Sequence, residues 1–161
     1  MATWNEISTT APDLASAVER SFGVGKHKVM ATLRRDGSPR VSGTEVVFRS
    51  GEVWIGSMPG ARKAQDLQRD PRIAIHSPTV DEKLTLGDAK LSGRAVEVTD
   101  PAEVEAWLAA GAEEGAQAPP PGEFHLFRID VTEVARTWVE GDELVVASWQ
   151  ADRGERTVRR K

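Results

Sequence analysis

Ser57 and the segment Gly60-Ala61-Arg62-Lys63 are the first candidates for chemistry in this sequence. The segment follows a predicted strand and begins a predicted helix, whose first turn has free N–H groups and the positive end of the helix dipole. Arg62 adds a guanidinium group that can donate two parallel hydrogen bonds, and Lys63 adds an ammonium group. Positive charges are unfavourable at the positive end of the helix dipole unless an anion binds there. These residues predict a phosphate site, with Ser57 contributing a hydroxyl. The alternative is that Arg62 and Lys63 only face solvent.

The second candidate is the strand segment Pro39–Thr44, which contains Arg40, Val41, Ser42 and Gly43 in succession. A glycine inside a strand lowers stability unless a ligand or another stretch of backbone must approach closely. A flat ring could therefore lie against this strand and hydrogen-bond to its backbone. The alternative is a β-bulge at a bend of the sheet.

Metal binding and nucleophilic catalysis are not predicted. The chain has no Cys, and His27, His76 and His125 do not have the spacing of metal ligands. No Gly-x-Ser-x-Gly element is present, so no catalytic residue is assigned. His76 follows the predicted phosphate-binding helix, and Arg40, His76 and Glu45 are polar candidates near a ring that lies against the Pro39–Thr44 strand. A packed histidine is the alternative for His76.

The elements around these candidates predict a mainly β protein. A helix is expected from about Thr10 to Phe22, within an N-terminal segment of residues 1–25. Three strands then predict an antiparallel meander, with turns at Asp36-Gly37 and Ser50-Gly51. The predicted meander strands are Lys28–Arg34, Pro39–Phe48 and Glu52–Ser57.

The second half of the chain continues the same pattern, and the total of seven or eight strands favours a small antiparallel β-barrel with flanking helices. Residues 111–122 are rich in Pro and Gly and predict a loop. Residues 152–161 are basic and predict a mobile tail. The further predicted elements are helices over Ala61–Arg69 and Asp100–Leu108 and strands over Ile73–Ser77, Lys90–Val98, Phe124–Val131, Val134–Val139 and Glu143–Trp149.

Composition fits one soluble domain spanning residues 1–161. The chain is 39% hydrophobic and 29% charged, with a formal net charge of −4. This acidic balance argues against nucleic-acid binding, although Arg153–Lys161 is locally basic. No apolar run approaches the roughly 20 residues that span a bilayer, and residues 1–10 do not resemble a signal peptide. We therefore expect a cytoplasmic protein.

Met30–Ser77 resembles the pyridoxamine 5′-phosphate oxidase-like family of FMN-binding split β-barrels. The resemblance lies in the order and spacing of several short motifs over about a third of the chain. The motifs are a strand ending in Asp36-Gly37, a Gly-x-Pro strand over Gly37–Ser42, a strand ending at Ser57, the pair Arg62-Lys63 at the start of a helix, and Asp70-Pro71-Arg72 before a strand.

The resemblance implies a six-stranded antiparallel split barrel that forms a homodimer with cofactors at the interface. It implies that Arg62, Lys63 and Ser57 bind the phosphate of the cofactor and that Arg40–Gly43 line the ring and ribityl portion of the cofactor. Family members bind FMN or the deazaflavin F420, and some bind haem. The expected function is an FMN- or F420-dependent oxidoreductase that transfers hydride to or from a small molecule. The alternative is a non-catalytic flavin- or haem-binding module.

The C-terminal residues do not carry a recognisable form of the Arg and His signature of vitamin B6 oxidases. Oxidation of pyridoxamine phosphate is therefore not predicted. The sequence does not choose between FMN and F420, because both cofactors carry a phosphate. The longer F420 tail would need added positive surface, such as Arg34, Arg35 or Lys90.

Overall fold

The computed structural model describes residues 1–116 and 124–161. Within these residues the protein has four helices and nine strands. The helices are α1 (Trp4–Thr10), α2 (Pro12–Gly23), α3 (Arg62–Arg69) and α4 (Pro101–Glu113). The strands are β1 (Lys28–Leu33), β2 (Pro39–Thr44), β3 (Val47–Arg49), β4 (Glu52–Ser57), β5 (Arg72–His76), β6 (Asp88–Glu97), β7 (His125–Glu140), β8 (Glu143–Gln150) and β9 (Gly154–Arg160).

All strand pairs are antiparallel and belong to one sheet, in the order β2-β1-β5-β6-β7-β4-β3, with β8 paired to β7 and β9 paired to β8. β2 and β4 lie far apart in this order but contact each other, so the sheet curls towards closure. The predicted mainly β antiparallel class with flanking helices is confirmed. Both hairpin pairings of the predicted meander are present, β1 with β2 and β3 with β4. Its middle strand is not continuous, however, because β2 and β3 lie at opposite ends of the sheet order.

One face of the sheet is buried and the other is exposed, as the alternation of buried and exposed residues along its strands shows. In β1, Met30 and Thr32 are buried while Val29 is exposed, and in β5 the buried residues are Ile73 and Ile75. Such period-two burial is typical of a strand with one face on a core. The core side also carries buried residues of β7 and β8, and α1 and α2 pack on it.

The long pair β6–β7 bends at an irregularity between Ser92 and Gly93. Gly93 is required there because a Cβ atom would lie 2.4 Å from the Asp130 carbonyl oxygen. The strain-free close approach of these two strands therefore depends on the absence of a side chain.

The N-terminal segment contains two helices rather than the one predicted from Thr10. Thr3 caps α1 through a capping box with Glu6, and the Thr10 hydroxyl donates to the Glu6 carbonyl oxygen inside α1. Thr10 therefore cannot cap α2, which begins after Ala11 without a side-chain cap. α2 then presents Leu14, Val18 and Phe22 to the core as the helical spacing predicts.

Several predicted boundaries differ from the structure. The predicted strand Pro39–Phe48 is divided into β2 and β3, and the two strands predicted between Phe124 and Val139 form the single strand β7. The predicted mobile tail is also wrong, because residues 154–160 form β9 along the edge of β8. α4 extends to Glu113, into the predicted 111–122 loop, and residues 117–122 of that loop lie outside the described residues.

Candidate functional site

The N-terminus of α3 lies directly after the turn that follows β4. Gly60 has a φ of 70°, a conformation that favours glycine, and it turns the chain into the helix that begins at Arg62. Ala61 provides no side-chain cap, and the first turn contains no acidic residue. Arg62 is exposed and its Nη1 atom is 3.5 Å from Oε1 of Gln65. The predicted helix and its basic first turn are therefore present as expected.

Lys63 connects α3 with β2. Its Nζ atom donates a hydrogen bond to the Gly43 carbonyl oxygen at 2.6 Å. Burial lowers the pKa of Lys63, and the negative charge of Glu45 partly opposes this effect. The two candidate segments found in the sequence thus meet in space, with an ammonium group and a strand carbonyl in direct contact.

The structure excludes a bulge at Gly43. The register of β2 with β1 runs without interruption from Lys28↔Thr44 to Leu33↔Pro39. A Cβ atom at Gly43 would have no heavy atom within 4 Å, so this part of the strand backbone is uncovered. A ligand ring can approach such a surface closely. Glu45, just after β2, is exposed and forms an ion pair with Lys26 at 3.3 Å.

The four predicted ring-lining residues divide between the two faces of β2. Arg40 and Ser42 share the face of the buried β1 residues, whereas Val41 and Gly43 share the face of exposed Val29. Arg40 does not extend into open space, because its Nε atom donates to Oδ2 of Asp66 at 2.6 Å. Its role visible in the structure is to bind α3.

Asp66 organises this contact and was not recognised in the sequence. Its side chain is 4% exposed and accepts hydrogen bonds from Thr32 at 2.9 Å, from Arg40 at 2.6 Å and from Arg69 at 2.9 Å. Burial alone would raise the pKa of Asp66, but these hydrogen bonds outweigh it and lower the pKa to about 2. The signal available in the sequence was an acidic residue between Ala64 and Leu67, which face inward.

Ser57 lies at the end of β4, opposite His125 of β7. Its Oγ atom is buried and has no hydrogen-bond partner among the described residues. A buried hydroxyl without a partner is unfavourable, so this atom fits a site that a polar ligand completes. The His125 side chain contacts Glu97 instead, with Nδ1 2.6 Å from Oε1 of Glu97.

His76 lies at the end of β5, in one row across the sheet with Val29 and Gly43. Its Nδ1 atom is 2.6 Å from the Ser77 carbonyl oxygen, and its Nε2 atom is 3.5 Å from Oδ2 of Asp88. Val29 separates it from Gly43, so His76 is placed at the far side of the candidate ring surface. Its polar partners are therefore different from those of Arg62 and Lys63.

An arginine-rich cleft adjoins the α3 site. Its volume is about 590 Å³, and it opens between the β1–β2 turn and α3. Asp66 forms ion pairs with two of its guanidinium groups, those of Arg40 and Arg69. The remaining basic side chains give the cleft an excess of positive charge. The residues around it are Arg34, Arg35, Asp36, Arg40, Arg62, Gln65, Asp66 and Arg69.

The antiparallel sheet curls towards closure, and the N-terminus of α3, which could bind an anion, follows β4. These features are those of a split β-barrel. Residues 24–138 match the pyridoxamine 5′-phosphate oxidase family, which covers more than half of the chain. The chain therefore belongs to this family. No curated protein sequence matches the chain. In the part of the chain that the structure describes, no helix is long and apolar enough to cross a membrane.

Solved structures share the fold at low sequence identity. PhzG from Burkholderia lata 383, in complex with tetrahydrophenazine-1-carboxylic acid, has a TM-score of 0.68 and 16% identity, covering 98% of this chain and 92% of PhzG. A pyridoxamine 5′-phosphate oxidase-related, FMN binding protein from Nostoc punctiforme PCC 73102 has a TM-score of 0.63 and 14% identity, covering 94% and 96%. An F420 reductase has a TM-score of 0.55 and 16% identity, covering 72% and 94%.

Proposed function

We propose that this protein binds FMN at the junction of α3 and β2 and acts as an FMN-dependent oxidoreductase on a small molecule. The observation that carries the proposal is the contact of Lys63 with Gly43, which joins a basic helix N-terminus to an uncovered strand backbone. Family membership and the FMN binding protein of similar fold support it.

The residues fit a phosphate-bearing planar cofactor. Arg62, Lys63 and the first turn of α3 would bind the phosphate, and the unpaired Ser57 hydroxyl would donate to it. The desolvated ammonium group of Lys63 would gain a counter-ion, which favours its charged form. The ring would lie along β2 near Gly43, where no side chain blocks it.

FMN would supply the hydride chemistry, and the protein would bind and orient it. Asp66 positions the basic turn, because it ties α3 to both β1 and β2. Val41 and Gly43 would set the distance of the ring from the sheet, and His76 would limit the ring surface at its other end. No side chain is assigned as an acid or base.

F420 is the second candidate, and the arginine-rich cleft is the observation that favours it. FMN ends at its phosphate, whereas F420 continues into an anionic tail that needs further positive surface. Arg34 and Arg35 lie in the cleft next to Arg62 and have the charge that such a tail requires. An F420 reductase shares the fold.

We further propose a homodimer through the outer face of β1 and β2. Val29 is 51% exposed and Val41 is 70% exposed, and both lie on the face that carries Gly43. Exposed valines beside a candidate cofactor surface favour burial by a second copy of the chain. Sedimentation should show dimers that Val41→Glu converts to monomers, while Val80→Glu, at an exposed position outside the sheet, leaves them intact.

The cofactor test is titration of the purified protein with FMN and with F420, followed by absorbance and fluorescence. Replacing Arg62 and Lys63 together by Ala should weaken binding by two orders of magnitude or more, since charge-assisted hydrogen bonds contribute about 1.5–3 kcal/mol each. The control replaces the exposed pair Arg153 and Arg156 by Ala, an equal change of charge away from α3. Unchanged affinity in the α3 variant would contradict the site.

The same titrations separate the alternatives. Replacing Arg34 and Arg35 by Ala should weaken F420 and leave FMN unchanged if the cleft binds the F420 tail. A bound flavin that no electron donor reduces, with no turnover, would favour the non-catalytic module. A haem spectrum in the natively purified protein would replace the flavin proposal.

A further inference from the structure

A second cavity, of about 380 Å³, lies between α2 and the β7–β9 part of the sheet. It shares no lining residue with the arginine-rich cleft, so it is a separate feature. Its apolar lining residues are Leu14 and Ala17 of α2, Trp138 of β7 and Ala147 of β8. Sites for small molecules have volumes of roughly 300–1,000 Å³ and are mostly apolar with a few polar groups.

Arg136 of β7 supplies one of these polar groups. Its Nη2 atom donates to the Leu86 carbonyl oxygen at 3.1 Å, and its Cζ atom lies 4.5 Å from the centre of the Trp138 ring. The Nε atom is buried and has no hydrogen-bond partner within the described residues. Burial lowers the pKa of Arg136, and the positive charge of Arg20 lowers it further. The guanidinium group is thus partly desolvated and close to a like charge.

Arg20 of α2 is the second cation. Its Nη1 atom donates to Oγ of Ser16 at 2.7 Å. Across residues 1–116 and 124–161, no carboxylate lies within 4.0 Å of either guanidinium group. Two neighbouring guanidinium groups without a paired carboxylate favour an anion between them.

The rest of the lining limits the charge of that anion. Asp13 and Glu155 also line the cavity, so its two cations are balanced by two acids at a greater distance. A polyanion would be repelled by these carboxylates, whereas a single negative charge can be placed at the arginine end. The apolar floor favours a ligand with a hydrocarbon body.

We propose that this cavity binds a small organic monoanion, with its carboxylate between Arg20 and Arg136 and its apolar body against Leu14, Ala17 and Ala147. Arg20 and Arg136 are far apart in the sequence, and neither belongs to a motif. The site is therefore a product of the packing of α2 on the sheet. It is independent of the proposed cofactor site.

The test is a titration of the ¹⁵N-labelled full-length protein with benzoate, followed at the indole N–H signal of Trp138, which Trp138→Phe identifies. Benzoate should shift this signal in a saturable manner, and the neutral analogue benzyl alcohol should not. Arg20→Gln and Arg136→Gln should each weaken benzoate binding about tenfold or more, since each removes a charge-assisted hydrogen bond. Arg156→Gln, on the opposite face of β9 from Glu155 and Thr157, is the matched control and should have no effect.

Several results would overturn the proposal. They are no saturable shift with benzoate, an equal shift with benzyl alcohol, or full affinity in Arg20→Gln. Arg20→Gln is the decisive variant because, among residues 1–116 and 124–161, the Arg20 guanidinium hydrogen-bonds only to Ser16 of the same helix, so the fold does not depend on it. Saturation with FMN should leave benzoate affinity unchanged. Competition between the two would assign benzoate to the cofactor site instead.

Discussion

Substitution of Asp66 by Asn should destabilise the protein more than any other single change of charge around α3. The carboxylate is almost fully buried and accepts hydrogen bonds from Arg40 and Arg69 on two different elements. Asparagine preserves the size of the side chain but removes its charge, and so leaves two guanidinium groups facing a neutral amide. The change therefore isolates the electrostatic contribution of the contact.

The magnitude follows from the pKa of Asp66. A carboxyl whose pKa is 3.8 when unfolded and about 2 when folded contributes about 2.4 kcal/mol at neutral pH, at about 1.36 kcal/mol per pKa unit. Removal of one partner from a buried ion pair costs about 3–5 kcal/mol in other proteins. We expect Asp66→Asn to lower the free energy of unfolding by about 2–4 kcal/mol at pH 7.

The pH dependence gives this prediction a second readout. Because folding lowers the pKa of Asp66, its contribution is complete above about pH 5 and is lost as the pH falls through 4 towards 2. Urea unfolding of the unmodified protein and of Asp66→Asn between pH 7 and pH 3 should therefore show a difference in stability that shrinks with acidification. The measured quantity is the free energy of unfolding, with an unchanged dependence on urea concentration.

Asp70→Asn is the matched control. The pKa of Asp70 is also lowered to about 2, by hydrogen bonds from Arg72, but its partner is 64% exposed. Solvent screens an exposed pair, so Asp70→Asn should change stability far less than Asp66→Asn. Equal losses in the two variants, or a loss in Asp66→Asn that does not depend on pH, would refute the reasoning from burial.

Three further predictions concern the scaffold. Gly93→Ala should destabilise the protein by several kcal/mol in urea unfolding, since its Cβ would meet the Asp130 carbonyl oxygen, and a loss below about 1 kcal/mol would contradict this contact. Thr3→Ala should cost about 1 kcal/mol in thermal unfolding because it removes the capping box with Glu6, and no change would mean that α1 does not contribute to global stability. Hydrogen exchange should show protected amides within residues 154–160, whereas exchange at the rate of an unfolded peptide would restore the mobile tail.

Local features were predictable because they depend on residues close in the sequence. The Asp36-Gly37 turn and the Ser50-Gly51 turn are both present, with φ values of 82° at Gly37 and 75° at Gly51. The helix over residues 62–69 ends before Pro71 as predicted. Each of these depends on the conformational preferences of single residues and their immediate neighbours.

The candidate site was predictable in part. The basic turn at Arg62 and the open backbone at Gly43 could be found as separate motifs, but their contact could not, since it joins residues 20 positions apart. Asp66 was missed because a carboxylate in a short polar helix is usually exposed, and only its partners on β1 and β2 show that it is buried.

The family, the mainly β class and the positions of the turns and of α3 could all be predicted from the amino-acid sequence. The order of the strands, the pairing of the tail as β9 and the shared cavity of Arg20 and Arg136 became visible only in the folded chain. The two groups of features differ in the sequence separation of the residues that interact. A turn or a helix start is fixed by local dihedral angles and hydrogen bonds, whereas strand order and side-chain clusters depend on which distant surfaces bury their apolar faces together.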